Sequence, residues 1–357
     1  MIDVRAVEDR DEAAWERFLT TRSVAHHAYS LSWKKILPEV FGHRPYYLLA
    51  ERKTADTDTE LVGILPLFLI KSFLFGRALV SVPYLNAGGI VADTSEIADL
   101  LRDRAESVGR ELDVDYIELR QREQFAPLEG KDGIACRSHK VSMVLPLPAT
   151  AEELFDAFPP KLRSQIRRPS KSGVVAQLSG VECSESASLK AFYTVFSEHM
   201  RDLGTPVYPR ALFDSVREHF KDRHRTITVW HEGKPVAAGI TLRQGSGVEI
   251  PWASALKRVS KLSPNMLLYW AAIKAAIGDG ATSFDFGRSS SNTGTYRFKE
   301  QWGPEPVPLH WYYTLVKKEI PDVNPNSPKF AAVVECWKRL PLGVANVVGP
   351  YLTRSLP

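Results

Sequence analysis

One order of elements occurs twice along the 357 residues, and that repetition limits the possible folds more than any single motif does. In the first half, residues 11–22 set Ala14, Trp15 and Phe18 at helical spacing. Residues 46–51 and 61–71 read as a strand hairpin across a polar turn, and 78–82 as a third strand. A helix over 93–112 follows, with Leu100, Leu101 and Val108 on one face, and then a strand over 115–120. The second half repeats this order. Helices at 189–204 and 210–220 precede a hairpin of 226–231 with 234–243, a strand at 248–253, a helix at 263–278 and a strand at 283–287. Glu60-Leu61-Val62-Gly63-Ile64 answers Lys234-Pro235-Val236-Ala237-Ala238, and Tyr116 to Arg120 answers Phe284 to Arg288, at offsets of about 174 and 168 residues. The expected fold is therefore mixed α/β, a duplicated unit. The first unit spans 1–148, the second, carrying the main site, 149–316, and a helical tail 317–357. Pro146 and Pro148 with the capping box Thr150 to Glu153 mark the join.

Composition narrows the function. At 44% hydrophobic and 25% charged the chain is neither disordered nor a coiled coil as a whole. Lys and Arg (46) exceed Asp and Glu (42) by four, enough for an anionic ligand but no signature of a DNA binder. Cys136, Cys183 and Cys336 are too scattered for a disulfide framework or a metal knuckle, and the nine histidines include no HExxH motif. No metal and no tightly bound cofactor is expected. Acidic residues occupy the start where a signal peptide would be apolar, and the longest apolar run, 61–70, is half the ~20 residues of a membrane span. A cytoplasmic location follows as the expectation.

Three clusters could carry chemistry. Lys161 to Lys171 contains Arg163 and Arg167 one helical turn apart and no acid, so it is either a solvated basic face or an anion site. Lys257, Arg258 and Lys261 precede Ser263-Pro264-Asn265, where Ser263 suits an N-cap and Pro264 the first helical position; free N–H groups and three cations converge there, as at many phosphate sites. Asp285 alternates with Phe284 and Phe286 and points to a cleft, a salt bridge with Arg288, or a turn cap. The loop that follows adds Arg288, Tyr296, Phe298 and Lys299, with Lys299 expected in a polar, exposed segment. Trp252, Trp270, Trp302 and Trp311 read as core or cleft wall.

The twin halves, the 161–171 basic run, Tyr208-Pro209-Arg210, Phe284-Asp285-Phe286-Gly287 and Tyr296-Arg297-Phe298-Lys299 together resemble the Fem peptidyltransferases. The stretches at 204–209, 251–254, 263–270, 284–290 and 296–303 are similar to the FemAB-like branch found with exosortase (PEP-CTERM) and exopolysaccharide clusters, over roughly residues 30–315. The resemblance implies two tandem GNAT-like acyltransferase domains. It implies an N-acyl or aminoacyl transferase acting on an amine of a peptidoglycan, exopolysaccharide or other envelope precursor, small or lipid-linked. The donor would be acyl-CoA or aminoacyl-tRNA, although the coiled-coil arm some Fem members insert for tRNA has no counterpart here. Lys299 matches the lysine thought to steady the oxyanion, and Arg210 an arginine that grips substrate phosphate; the first-domain lysine that follows a tryptophan is matched only loosely by Trp33-Lys34-Lys35. Asp285 would serve as base or orienter, with Lys257, Arg258, Lys261 and Asn265 holding donor phosphates. The alternative is a non-catalytic binder of a glycan or lipid-phosphate intermediate in the same cleft. The tail, with Phe330, Val333, Val334 and Trp337 at helical spacing and an apolar 342–352, either packs on the first domain or lies peripherally at the inner membrane face.

Overall fold

A computed structural model describes residues 1–54, 59–72, 76–125, 133–317 and 328–355. The first half runs β1 (Ile2–Ala6), α1 (Glu12–Thr21), α2 (Ser32–Phe41), β2 (Arg44–Pro45), β3 (Leu48–Lys53), β4 (Thr59–Leu65), β5 (Phe68–Ser72), β6 (Gly76–Val80), β7 (Val91–Ala92), α3 (Ser95–Glu111) and β8 (Tyr116–Gln121). The expected strand over 61–71 is two strands, because Pro66 has no N–H to give a ladder. β4 stays with β3 and β7, while β5 joins β6 and β2. Thr94 caps α3 through the Ile97 N–H, and Ile97, Ala98, Leu101, Ala105 and Val108 form its buried face. Leu100, placed on that face from the sequence, points to solvent.

The first half ends with β9 (Ile134–Pro146), and the second runs α4 (Ala151–Ala157), α5 (Pro160–Lys171), β10 (Val175–Leu178), α6 (Glu185–Leu203), α7 (Arg210–Phe220), β11 (His224–His231), β12 (Lys234–Gln244), β13 (Gly247–Ala255), a 3-10 turn (Lys257–Leu262), α8 (Pro264–Gly278), β14 (Ser283–Ser290), α9 (Gly294–Glu300) and β15 (Glu305–Leu315). The duplication is plain in the pairing. β10, β11, β12 and β13 are antiparallel neighbours, and β13 then runs parallel to β14. β1, β3 and β4 followed by β5, β6 and β8 repeat that order, again with only the last pair parallel. A parallel pair needs a crossover, which α3 and α8 supply.

The halves also trade strands. β9 pairs with β14, and β15 pairs with β8, while β9 and β15 pair with each other. The result is one eleven-stranded sheet, β10-β11-β12-β13-β14-β9-β15-β8-β6-β5-β2, beside a four-stranded sheet, β1-β3-β4-β7. The core crosses the join too: Trp33 of α2 lies 5.4 Å from Phe220 of α7 and 6.5 Å from Trp252 of β13, between ring centroids. We propose 1–148 and 149–316 as the two units, each completed by the other's last strand. A fragment ending at residue 148 would lack β15 and leave strand edges open. It is expected to aggregate alone and to regain native circular dichroism on mixing with 149–357; a fragment that folds cooperatively by itself would refute the exchange as essential.

α10 (Pro328–Lys338) and α11 (Leu342–Thr353) close the chain against α6, with Trp337 buried. The tail thus packs mainly on the second half rather than the first, although the Tyr84 hydroxyl donates to the Thr353 carbonyl at 3.3 Å. The side chain of Phe330 lies outside the described residues.

Candidate active site

The parallel ladder between β13 and β14 is short. It ends at Glu249 opposite Asp285, after which β13 continues to Ala255 and β14 bulges at Gly287. Backbone groups of 250–255 on the β14 side therefore have no strand partner, which leaves a wedge able to bind an extended amide. Gly287 has a φ of +73°, a conformation glycine adopts at no steric cost. Asp285 holds this bulge by accepting the Gly287 N–H at 2.8 Å and the Ser142 hydroxyl at 2.6–2.7 Å. Arg122 Nη2 stands 3.2 Å from its other oxygen, so the carboxylate keeps a counter-charge. Burial, and the neighbouring Glu249, push Asp285 above the ordinary carboxylate range.

Glu249 in turn accepts from two buried histidines, His26 at 3.0 Å and His27 at 2.7 Å. Burial alone would raise this carboxyl, but the two imidazoles hold it well below its usual value. Burial pushes His26 down to about 4, so it is neutral at pH 7. These groups line a cavity of about 640 Å³ between the halves, together with Arg22, Arg122 and Glu123. Two histidines and a carboxylate within 4.8 Å have the composition of a metal site. The hydrogen bonds point elsewhere. His26 Nδ1 accepts the Ala28 N–H at 3.2 Å, which places the ring proton on Nε2, the atom a metal would need. The cluster is a carboxylate clamped by two N–H donors.

Beyond the bulge, Arg288 lies on the same face of the sheet as Asp285. Its guanidinium carbon sits 5.1 Å from the Trp311 ring centroid, and that of Arg120 4.4 Å from the same ring. Arg120 is buried and fixed by Glu118 at 2.6 Å and by the Leu85 carbonyl at 2.6 Å. Arg288 is exposed and has no carboxylate within ion-pair distance among the described residues. Although the side chain keeps an exposed surface, the protein packed around its guanidinium desolvates it, and this, with the charge of Arg120, lowers its pKa from the usual arginine value. Tyr208 is coupled to the charges of both arginines and packs edge-on to Tyr84 at 5.5 Å. Two cations on one indole, only one of them compensated, leave a positive charge suited to an anionic group.

Lys299 corrects an expectation. It is buried, on α9 rather than in an exposed loop, with its Nζ donating to the Gly287 carbonyl at 2.9 Å and the Arg288 carbonyl at 3.1 Å. An ammonium has three donors, so one remains for a ligand oxygen. Burial lowers its pKa to about 8, against the favourable charges of Asp285 and Glu249. Below pH 8 folded and unfolded chains both carry the proton; between about 8 and 10.5 only the unfolded chain does, so this residue makes stability rise with pH. Replacing it by methionine leaves two carbonyls without this donor, at about 1–3 kcal/mol each. Lys299→Met is therefore expected to unfold at lower temperature than wild type at pH 7, with the gap widening to pH 10. Parallel curves in differential scanning calorimetry would contradict the buried-ammonium reading.

The other residues singled out in the sequence disperse. Lys257, Arg258 and Lys261 are exposed at the start of α8, with Arg258 Nε 3.2 Å from Glu198. Pro264 takes the first helical position as expected, but Ser263, at φ +54°, makes no capping bond. Asn265 is half-buried in the first turn. Arg163 faces Asp156 at 3.8 Å, and Arg167 covers Phe155 at 4.8 Å, on the far side of α8 in a separate groove with Trp270. Arg210 pairs with Asp214 at 3.5 Å on the surface. Tyr296 and Phe298 pack against the core around Trp302. Asp285, Arg288 and Lys299 are brought together; Arg163, Arg167 and Arg210 are not part of that group. The sequence reading missed His26, His27, Arg120, Arg122, Ser142 and Glu249. Glu249 and the Glu118/Arg120 pair did carry a signal: charges inside otherwise apolar strands, which need buried partners.

Residues 160–300 match the family model of the acetyltransferase (GNAT) domain. No curated protein matches the sequence. Among solved structures, FemX is similar at a TM-score of 0.66, 12% identity and coverage of 88% of this chain and 98% of that chain. A tandem GNAT protein from the clavulanic acid biosynthesis pathway reaches 0.56 at 10% identity, covering 89% and 99%. L-PGS from Bacillus licheniformis reaches 0.51 at 12%, covering 86% and 95%. Residues 160–300 are thus similar to the acetyltransferase (GNAT) domain, and the chain has the fold shared by FemX and the tandem GNAT protein.

Proposed function

We propose that the protein is an N-acyl or aminoacyl transferase whose reaction takes place where β13 and β14 part. The observation that carries this reading is the convergence of Asp285, Lys299 and Arg288 on that point. The donor acyl chain lies in the wedge beside 250–255, with its phosphates toward Lys257, Lys261 and the α8 N-terminus. The acceptor amine attacks the acyl carbon, forming the C–N bond while the carbonyl pair moves to oxygen. The third N–H of Lys299 receives that oxyanion. Asp285, its pKa raised, takes the amine proton, and collapse breaks the C–S or C–O bond of the donor; the proton ends on the leaving group. Arg288, over Trp311, binds an anionic group of the acceptor.

The match to an acetyltransferase domain favours acyl-CoA as donor over aminoacyl-tRNA. The resemblance to Fem enzymes and their exosortase-associated branch, and the likeness to FemX, support an envelope precursor or exopolysaccharide-linked amine as acceptor. Such an acceptor is met at the cytoplasmic face of the membrane. Thermal shift with acetyl-CoA, longer acyl-CoA and aminoacyl-tRNA tests the donor, since a ligand at 100 times its Kd adds ~2.7 kcal/mol. A shift with acyl-CoA that Lys257→Glu/Lys261→Glu abolishes is expected; a shift with aminoacyl-tRNA alone would reverse the donor assignment.

A further inference from the structure

α11 is inverted relative to an ordinary surface helix. Ala345, Gly349 and Thr353, three small residues four apart, face the body of the protein. Gly349 approaches so closely that a Cβ there would stand 2.8 Å from the Val207 backbone nitrogen. The large apolar residues are on the outside: Val344, Val347, Val348, Tyr351 and Leu352 are 38–77% exposed, at the i, i+3, i+4, i+7 and i+8 spacing of one face. Val333 of α10 adds a sixth at 62%. Half of the twelve large hydrophobic residues that the described chain exposes thus lie on these two helices. A patch this concentrated marks a docking surface.

Its chemistry selects the occupant. α11 contains no charged residue, so it offers no pattern of charges for a protein partner to read. The charges at its borders are basic: Arg339 before it and Arg354 after it make no ion pair among the described residues, whereas the neighbouring acids Glu335 and Asp202 are already bound to Lys338 and Arg201. An apolar face with Tyr351 near its end and unpaired arginines at both borders complements the acyl boundary and headgroups of an anionic bilayer. No helix among the described residues is long and apolar enough to cross a membrane, so the helix lies on the surface.

We propose that α11 seats the protein on an anionic lipid surface. The placement bears on the Arg288 site described above. Gly349 abuts Val207, the next residue Tyr208 lies within the field of Arg288, and Tyr84, which packs on Tyr208, bonds to the Thr353 carbonyl. A bilayer on the outer face of α11 is therefore separated from Tyr208 and Arg288 by the helix itself, and on the acyl-transfer reading it brings a lipid-carried acceptor to that side of the protein. Binding through one such patch is reversible, on the order of 10⁴ M⁻¹ like a single myristoyl chain.

The test is flotation of the full chain with vesicles of phosphatidylcholine alone and of phosphatidylcholine with 30% phosphatidylglycerol, a composition chosen at roughly the anionic content that draws basic segments to a membrane. The protein is expected to float with the anionic vesicles, and to be released as rising salt screens the arginines. Val347→Asp and Tyr351→Asp, both at exposed positions, should lower the bound fraction at least about tenfold with unchanged melting temperature. Absence of flotation, or flotation that neither substitution alters, would overturn the proposal. So would light scattering that shows a dimer which Val347→Asp dissolves, because the face would then join two copies of the chain. Transfer to a soluble amine, measured alongside, should be the same in Val347→Asp and wild type. Loss of transfer in both, with flotation intact, would count against the acyltransferase reading and not against the membrane face.

Discussion

Asp285→Asn is expected to lower turnover about 10²–10⁴-fold, the range for loss of a positioned general base. The amide is isosteric and can still accept the Gly287 N–H and the Ser142 hydroxyl that the carboxylate accepts now. What it lacks is the ability to take a proton at the point where β13 and β14 part, and the charge that balances Arg122. The pH–rate profile separates these effects. Wild type should lose activity on the acid side as Asp285 protonates, at a pH above the ordinary carboxylate range, since burial raises this group. The variant should lack that limb. Activity within threefold of wild type and an unchanged acid limb would make Asp285 a prop for the Gly287 bulge and nothing more.

Arg288→Ala should act differently. The side chain is exposed and unpaired, so its removal is expected to change stability by less than about 0.5 kcal/mol. A hydrogen bond to a charged group contributes about 1.5–3 kcal/mol, so kcat/KM should fall roughly 10–150-fold, mostly through KM. Arg288→Lys should recover little, because an ammonium neither stacks on Trp311 like a planar guanidinium nor grips an anion with a fork. A KM unchanged in both variants would remove Arg288 from the acceptor site.

What the sequence showed and what it hid follow from where each signal lies. The duplicated helix, hairpin, strand, helix, strand order was legible because each of those elements pairs with chain neighbours and buries one regular face, as α3 does with Ile97, Leu101 and Val108. β9 and β15 escaped because nothing local defines them. β9 carries Arg137, His139 and Lys140 within thirteen residues, and its partners are a strand 140 residues later and another beyond that. β15 contains Pro306 and Pro308, which ordinarily argue against an inner strand. They are tolerated because β8 pairs only from His310 onward; at 305–309 the strand has one neighbour, and a missing N–H on the open side breaks no ladder bond. α2 was hidden in a similar way by Pro38 within it.

The site divided along the same line. Asp285, Arg288 and Lys299 lie within one short stretch, where the alternation around Phe284 and Phe286 marked Asp285, and the polar segment that follows, together with the resemblance to Fem enzymes, marked the other two. Their partners come from far along the chain: Arg122 and Ser142 from the first half and the strand it lends, and Trp311 from the strand returned. Burial of Lys299 could not be read locally, because the two carbonyls that hold it belong to a bulge created by tertiary pairing. The basic run at 161–171 was misleading for the opposite reason. It is an amphipathic helix whose apolar face, Leu162 and Ile166, packs on α8, and its cations are left on the outer side.

Acyl transfer is tested most directly by product formation. The purified full chain is incubated with acetyl-CoA, longer acyl-CoA or aminoacyl-tRNA and a panel of amines that bear a phosphate or carboxylate, and the amines are analysed by mass spectrometry. Acylated amine should form above the enzyme-free rate with at least one donor, require the acceptor's anionic group, and disappear with Asp285→Asn. If acceptor and donor bind, as thermal shift would register, yet no amine gains the acyl mass with any donor, the cleft holds its ligand without transforming it, and the protein is a binder instead of a transferase.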